Sequence, residues 1–281
     1  MNKAMKIIGI ISLILLPACE EVMEVDDLPF EERLVIRGVL QAGDTVRTIY
    51  VGRTLPYRED AYVAYNSSEE VPDWVKNATV SIVCDGRSYS LHYVAKGNYA
   101  NDSLIIQTAK AYALTVQWQG KRVEAQTVVP LEPELDTAYV ASKTQIDVAR
   151  SQNAWFEYKV KGIVKAETQG AAISAGFSYY IYVTRYDTTI TIVGSPFSYN
   201  VYDTRDFSGV MEFGATATSQ DGQHFAITVQ NFDQPYFRYF KTAGNELNST
   251  TGGYAPVAWN VTGDGIGMFI GASRLVSRQF K

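Results

Sequence analysis

Two cysteines and two histidines hold most of the nucleophilic and metal-ligating chemistry in this 281-residue chain. In Ser90-Leu91-His92-Tyr93-Val94, strand alternation puts His92 on the face opposite Leu91 and Tyr93; in His224-Phe225-Ala226-Ile227 it puts His224 opposite Phe225 and Ile227. Both belong on the polar side of strands. Neither has a neighbour in sequence that would make it a general base or a metal ligand. Cys84 alternates with Val80 and Ile82 and reads as a small core residue. Glycines 263, 265, 267 and 271 invite comparison with a dinucleotide loop, but the third glycine of G-x-G-x-x-G falls on Met268 or Ile270. Tight turns and close strand packing explain these glycines instead. The acid pairs Glu59-Asp60 and Glu69-Glu70 lie within loops, whereas glycosidase carboxylates sit about 5–9 Å apart on separate elements. The expectation is therefore no catalytic residue, no metal, no cofactor and no enzyme activity. A hydrolase whose carboxylates assemble across domains is the weakest reading kept.

Cys19 offers a different chemistry. Lys3 and Lys6 precede an apolar run from Ile7 to Leu16, and Leu16-Pro17-Ala18-Cys19 closes it. That run is too short for a bilayer core that needs about 20 residues, so residues 1–18 read as a secretory signal peptide. Its end resembles the bacterial lipoprotein processing box. The resemblance implies a diacylglyceryl group on the Cys19 thiol, cleavage before Cys19 and acylation of the new amine by a fatty acid such as palmitate. Three acyl chains exceed the two signals that stable anchoring takes. Processing removes two lysines and no acid, leaving 23 basic against 30 acidic residues and a formal charge of −7. Seven acids stand between Cys19 and Arg33: Glu20, Glu21, Glu24, Asp26, Asp27, Glu31 and Glu32. Such a run after the lipidated cysteine, Glu20, Glu21 and Glu24 foremost, resembles the export signal of Bacteroidota surface lipoproteins. Self-repulsion also keeps it extended, a tether for residues 19–32 that reaches roughly 40 Å.

These groups need a scaffold, and composition names its class. The chain is 46% hydrophobic and only 20% charged, which excludes a disordered chain. No Lys/Arg block occurs, and the net charge is −5, which argues against a nucleic-acid partner. Alternating segments bounded by turn residues predict strands at 34–41, 45–53, 78–84, 88–94, 113–118 and 122–128. Asp85-Gly86 and Gln119-Gly120 mark two hairpins. This spacing predicts an immunoglobulin-like β-sandwich over 33–130, without the Cys–Trp–Cys pattern of a true immunoglobulin domain.

Pro130-Leu131-Glu132-Pro133 reads as a linker into a second β-rich domain, 131–281. Strands are expected at 155–166, 177–186, 189–194, 208–217 and 224–230, with a closing strand near 267–275. Asp233-Gln234-Pro235, followed by Tyr236, Phe237 and Phe240, predicts one short helix capped by Asp233. The fold class is thus all-β with a single helix. Tyr57, Tyr62, Tyr65 and Trp74 fall in the polar stretch from Leu55 to Val75. Rigid aromatics on a long loop supply contact surface for proteins or sugar rings, so these four are the candidate binding residues.

Trp259-Asn260-Val261-Thr262-Gly263-Asp264-Gly265-Ile266-Gly267-Met268-Phe269-Ile270-Gly271 resembles the signature of a Bacteroidota lipoprotein family, domain of unknown function 4249. Leu34-Val35-Ile36-Arg37-Gly38, Asn77-Ala78-Thr79-Val80, Gly97-Asn98-Tyr99 and the segment Tyr236–Phe240 follow the family's order, so the resemblance covers roughly 20–281. It implies two mostly β domains, an outer-membrane address facing the cell surface and a TonB-dependent β-barrel transporter as partner. It supplies no catalytic residues and no ligand. The expected function is a membrane-anchored accessory in nutrient capture or uptake. A surface adhesin or envelope-organising module is the alternative.

Overall fold

The structure, a computed structural model, describes residues 30–56, 73–147, 154–165, 172–185, 188–193, 198–203, 209–220, 224–243, 257–274 and 278–280. The compact unit of interest comprises Arg33–Thr54 and Asp73–Lys281. Its first strands are β1 (Leu34–Gln41), β2 (Thr45–Arg53), β3 (Thr79–Cys84), β4 (Arg87–Ala95), β5 (Asn98–Ile105), β6 (Ala111–Trp118) and β7 (Lys121–Val128). Alternation works as expected in β1, where Leu34, Ile36 and Leu40 are buried while Arg37 and Val39 face out. Both marked hairpins form. Asp85-Gly86 and Gln119-Gly120 each have two consecutive positive φ angles, 49° and 75° in the first and 48° and 80° in the second, the geometry of a type I′ turn. Lys96-Gly97 makes a third such turn, φ 46° and 78°, between β4 and β5.

Strand β5 is not among the segments that alternation picks out. Asn101-Asp102-Ser103 interrupts its pattern, and Asn101 Oδ1 accepts hydrogen bonds from Ser103 N at 2.9 Å and Leu104 N at 2.8 Å. That local turn shifts the register against β2, where Val46 faces Asn101 but Thr45 faces Ile105. Strand β4 also departs from simple pairing. Leu91 and the residues before it pair with β3, whereas His92, Tyr93 and Ala95 pair with β5. One strand thus belongs to two layers. The facing side chains make a single core that includes Ile36, Ile49, Val51, Val80, Ile82, Tyr99, Leu114, Val116 and Phe269. Full burial of such a side chain contributes about 1.5–3 kcal/mol.

The remaining elements are β8 (Glu134–Ile146), β9 (Trp155–Lys165), β10 (Ala172–Arg185), β11 (Thr188–Val193), β12 (Ser198–Asp203), β13 (Val210–Gln220), β14 (His224–Phe232), α1 (Gln234–Ala243), β15 (Val261–Gly263), β16 (Gly265–Arg274) and β17 (Arg278–Phe280). Strands β13, β9 and β8 form a separate antiparallel sheet. Two bulges in β8, at Leu135/Thr137 and Val140/Ser142, break its alternation, which hides this strand from a sequence reading. Tyr158, Val160, Val164, Met211 and Phe213 of this sheet share a second core with Phe177, Phe225, Ile227 and Val229 of β10 and β14.

The large sheet runs β11-β10-β14-β16-β1-β2-β5-β4-β3-β6-β7-β15, with β12 on β10 and β17 on β14. Strand β16 pairs in parallel with β1 and antiparallel with β14. The strand expected to close the second domain is therefore shared, and pairing crosses the 130/131 division both there and at β15–β7. Asp264 alone separates β15 from β16, so the two ends of the path from β16 round to β15 are joined by one residue. This closure is why the sheet curls on itself. The fold is all-β with one short helix among the described residues, as the sequence implies.

Candidate functional site

Period two along β14 puts Phe225, Ile227, Val229, Asn231 and Asp233 in phase. The first three enter the second core; the last two are polar, yet only 3% and 5% exposed. Burial of polar groups demands partners, and Asp233 has several. Its Oδ1 accepts the Tyr236 N–H at 3.1 Å, which caps α1 as expected. Its Oδ2 accepts the Gly271 N–H of β16 at 3.1 Å and the Thr127 hydroxyl of β7. One carboxylate thus ties the helix start to two strands. Desolvation pushes its pKa up to about 6, against the lowering effect of the hydrogen bonds from Thr127, Gly271 and Tyr236.

Asn231 is less complete. Its Nδ2 donates to Leu131 O at 3.0 Å, and Ser273 Oγ donates to the same carbonyl at 2.7 Å, so the Pro130–Pro133 linker is pinned from both sides. Its Oδ1 is the buried side-chain oxygen left without a donor among the described residues. Asn231 and Asp233 line a cavity of about 540 Å³, together with outward-facing residues of β3, β6 and β7 and with the linker. That volume lies within the roughly 300–1,000 Å³ of small-molecule sites. Sequence reasoning found Asp233 as a helix cap and missed Asn231 and Thr127. The signal was present: an apolar strand face that ends in two polar residues of the same phase.

A family model described as a domain of unknown function, DUF4249, matches residues 20–278. The chain belongs to the DUF4249 family. No curated protein matches it. The match bears out the resemblance carried by the segment 259–271, and the structure of this DUF4249 chain explains that segment. Asn260 mimics a strand partner: Phe269 N donates to its Oδ1 at 2.9 Å, and its Nδ2 donates to Phe269 O at 2.5 Å and to Gln126 O at 3.2 Å. Asp264 Oδ2 accepts the Arg122 N–H at 2.8 Å, Asp264 N donates to Arg122 O at 3.0 Å, and Leu34 N donates to Asp264 O at 3.0 Å. The signature is the clasp that closes the curled sheet, and its glycines serve packing. Replacing Asn260 with alanine should remove about 2 kcal/mol of stability, because two backbone groups of β16 lose their partner. Urea unfolding of the purified variant measures it; a midpoint equal to the parent's would dismiss the role.

Of the four aromatic candidates of this DUF4249 protein, Tyr57, Tyr62 and Tyr65 lie outside the described residues, as do Cys19, Glu20, Glu21 and Glu24. Trp74 is described. It forms an isolated antiparallel bridge with Gly52, flanked by Arg53 N to Asp73 O at 2.8 Å and Val75 N to Val51 O at 3.0 Å. The Tyr99 hydroxyl fixes the same segment, accepting from Ala78 N and donating to Val75 O, both at 3.0 Å. Trp74 is therefore half-buried on the edge of β2, with its neighbours held by backbone bonds. His92 is exposed on β4 as alternation predicts, and the His224 side chain lies outside the described residues. Cys84 is a free thiol, partly buried against the first core. Among the described residues no three His, Cys, Asp or Glu side chains gather where they could hold a metal ion.

Proposed function

We propose that this protein is a lipid-anchored binding accessory of the outer membrane, displayed at the cell surface and working beside a TonB-dependent transporter in nutrient capture. One observation carries the anchoring: the Lys3/Lys6 start, the apolar run Ile7–Leu16 and the Leu16-Pro17-Ala18-Cys19 ending occur in the order that a lipid-modified cysteine requires. The acidic residues after Cys19 support surface display, and the accessory role is what the resemblance carried by the segment 259–271 implies. A cavity of about 540 Å³ lined by buried polar groups supports binding rather than a purely spacing role.

Cys19→Ser is the test of the anchor. The parent protein should fractionate with envelopes and carry the added mass of its acyl chains. The variant should keep its leader and lose that mass, since a serine offers no thiolate for diacylglyceryl transfer. A Cys19→Ser variant that still fractionates with envelopes at the same mass as the parent would overturn the reading. For the partner, mild-detergent extraction followed by affinity capture should bring down a β-barrel in stoichiometric amount.

A further inference from the structure

The cavity beside α1 has a polar end of unusual composition. Asn231 and Asp233 are 3% and 5% exposed and contribute acceptors only: the Asn231 Nδ2 is spent on Leu131 O, its Oδ1 has no donor, and Asp233 is a carboxylate. Among the described residues no cation pairs with Asp233; the groups that meet it are the Thr127 hydroxyl and the Gly271 and Tyr236 N–H donors. The helix start does not reverse this polarity. Pro235 has no N–H and the Tyr236 N–H is occupied by Asp233, while the Gln234 and Gln126 amides that also line the cavity both donate and accept and so favour neither sign of charge. Asp85 at the rim is paired with Lys110 Nζ at 2.9 Å. The walls are apolar, with Val83, Ala111, Ala113, Val128, Val129 and Pro130 among them; Val83 and Val128 are 37% and 53% exposed on the outer sheet face.

A site of this kind complements a molecule with a donor-rich, positively charged head and an apolar body. We propose that the cavity binds small organic ammonium ions, the head seated at the polar end formed by Asn231 and Asp233 and the body lying against Val128, Ala113 and Pro130. The inference goes beyond the anchoring reading and is independent of it, because the cavity would be unaltered if Cys19 carried no lipid.

Three probes of one shape test it. 4-Fluorobenzylamine, 4-fluorobenzyl alcohol and 4-fluorobenzoate are titrated into the full-length protein in mild detergent at pH 7.5 and followed by fluorine relaxation. The amine should saturate a single site with a dissociation constant at least tenfold below those of the alcohol and the carboxylate. Asn231→Leu should abolish that preference. Since Asn231 also holds the linker, Val128→Trp provides a second arm: it fills the cavity from the exposed strand face, leaves every hydrogen bond intact and should weaken the amine at least tenfold with an unchanged circular dichroism spectrum. Equal affinity for the three probes, no saturable amine binding, or undiminished binding to folded Val128→Trp would each overturn the proposal.

Discussion

Gly267→Ala should cost the protein about 3 kcal/mol or more, a large share of the roughly 5–15 kcal/mol that holds a native domain together. Two costs combine at this site. Gly267 has φ +130°, a conformation that L side chains rarely adopt, and it stands opposite Ile36 in the parallel β1–β16 ladder. An added Cβ would overlap Ile36 O and lie 2.8 Å from Ile36 C and 2.9 Å from Ile36 N. All three are backbone atoms of Ile36, a fully buried residue, so no side chain can rotate away. Gly43→Ala is the control, since Gly43 has φ +83° but nothing within 4 Å of its would-be Cβ. It should lose about 1 kcal/mol. Urea titration of both variants separates the two costs; a Gly267→Ala midpoint near that of Gly43→Ala would show that the ladder yields at this point.

Asp233 should make the fold less stable at neutral pH than in mild acid. Its carboxyl titrates near 3.8 when unfolded and at about 6 in the fold, raised by desolvation. Between these values the folded protein holds more protons than the unfolded chain, so stability falls as pH rises. The contribution is fully present below about pH 4 and lost as pH passes 6. A shift of this size corresponds to about 3 kcal/mol. Other carboxylates titrate in the same range, and comparison with Asp233→Asn cancels them. The parent's stability relative to that variant should drop by about 3 kcal/mol between pH 4 and pH 7.5, read from urea unfolding at each pH. A difference that stays flat with pH would show that the buried carboxyl keeps its ordinary acidity.

Local signals in the sequence were reliable where the chain turns on itself. Asp85-Gly86 and Gln119-Gly120 are legible because a two-residue hairpin needs two positive φ angles and few residue pairs tolerate them. The cap at Asp233 is legible because an Asp ahead of Pro and an aromatic helical stripe has few other uses. What stayed hidden depends on residues far apart. Nothing near Leu34 reports that its parallel partner is Gly265, and nothing near His92 reports that β4 changes layers at that residue. The cavity is hidden for the same reason: Asn231 meets Leu131, and Asp233 meets Thr127, across about a hundred residues. Bulges did the rest, since each reverses the inside-outside phase of a strand in mid-course.

The single-residue joint at Asp264 also dictates when the protein can be finished. Strand β1 is made first and waits for a neighbour encoded some 230 positions later, so a nascent polypeptide leaves the ribosome with an open edge down the middle of its largest sheet. Prematurely stopped products would keep that edge exposed and present themselves to proteases as incomplete. Only a chain translated through Arg274 can seal the seam.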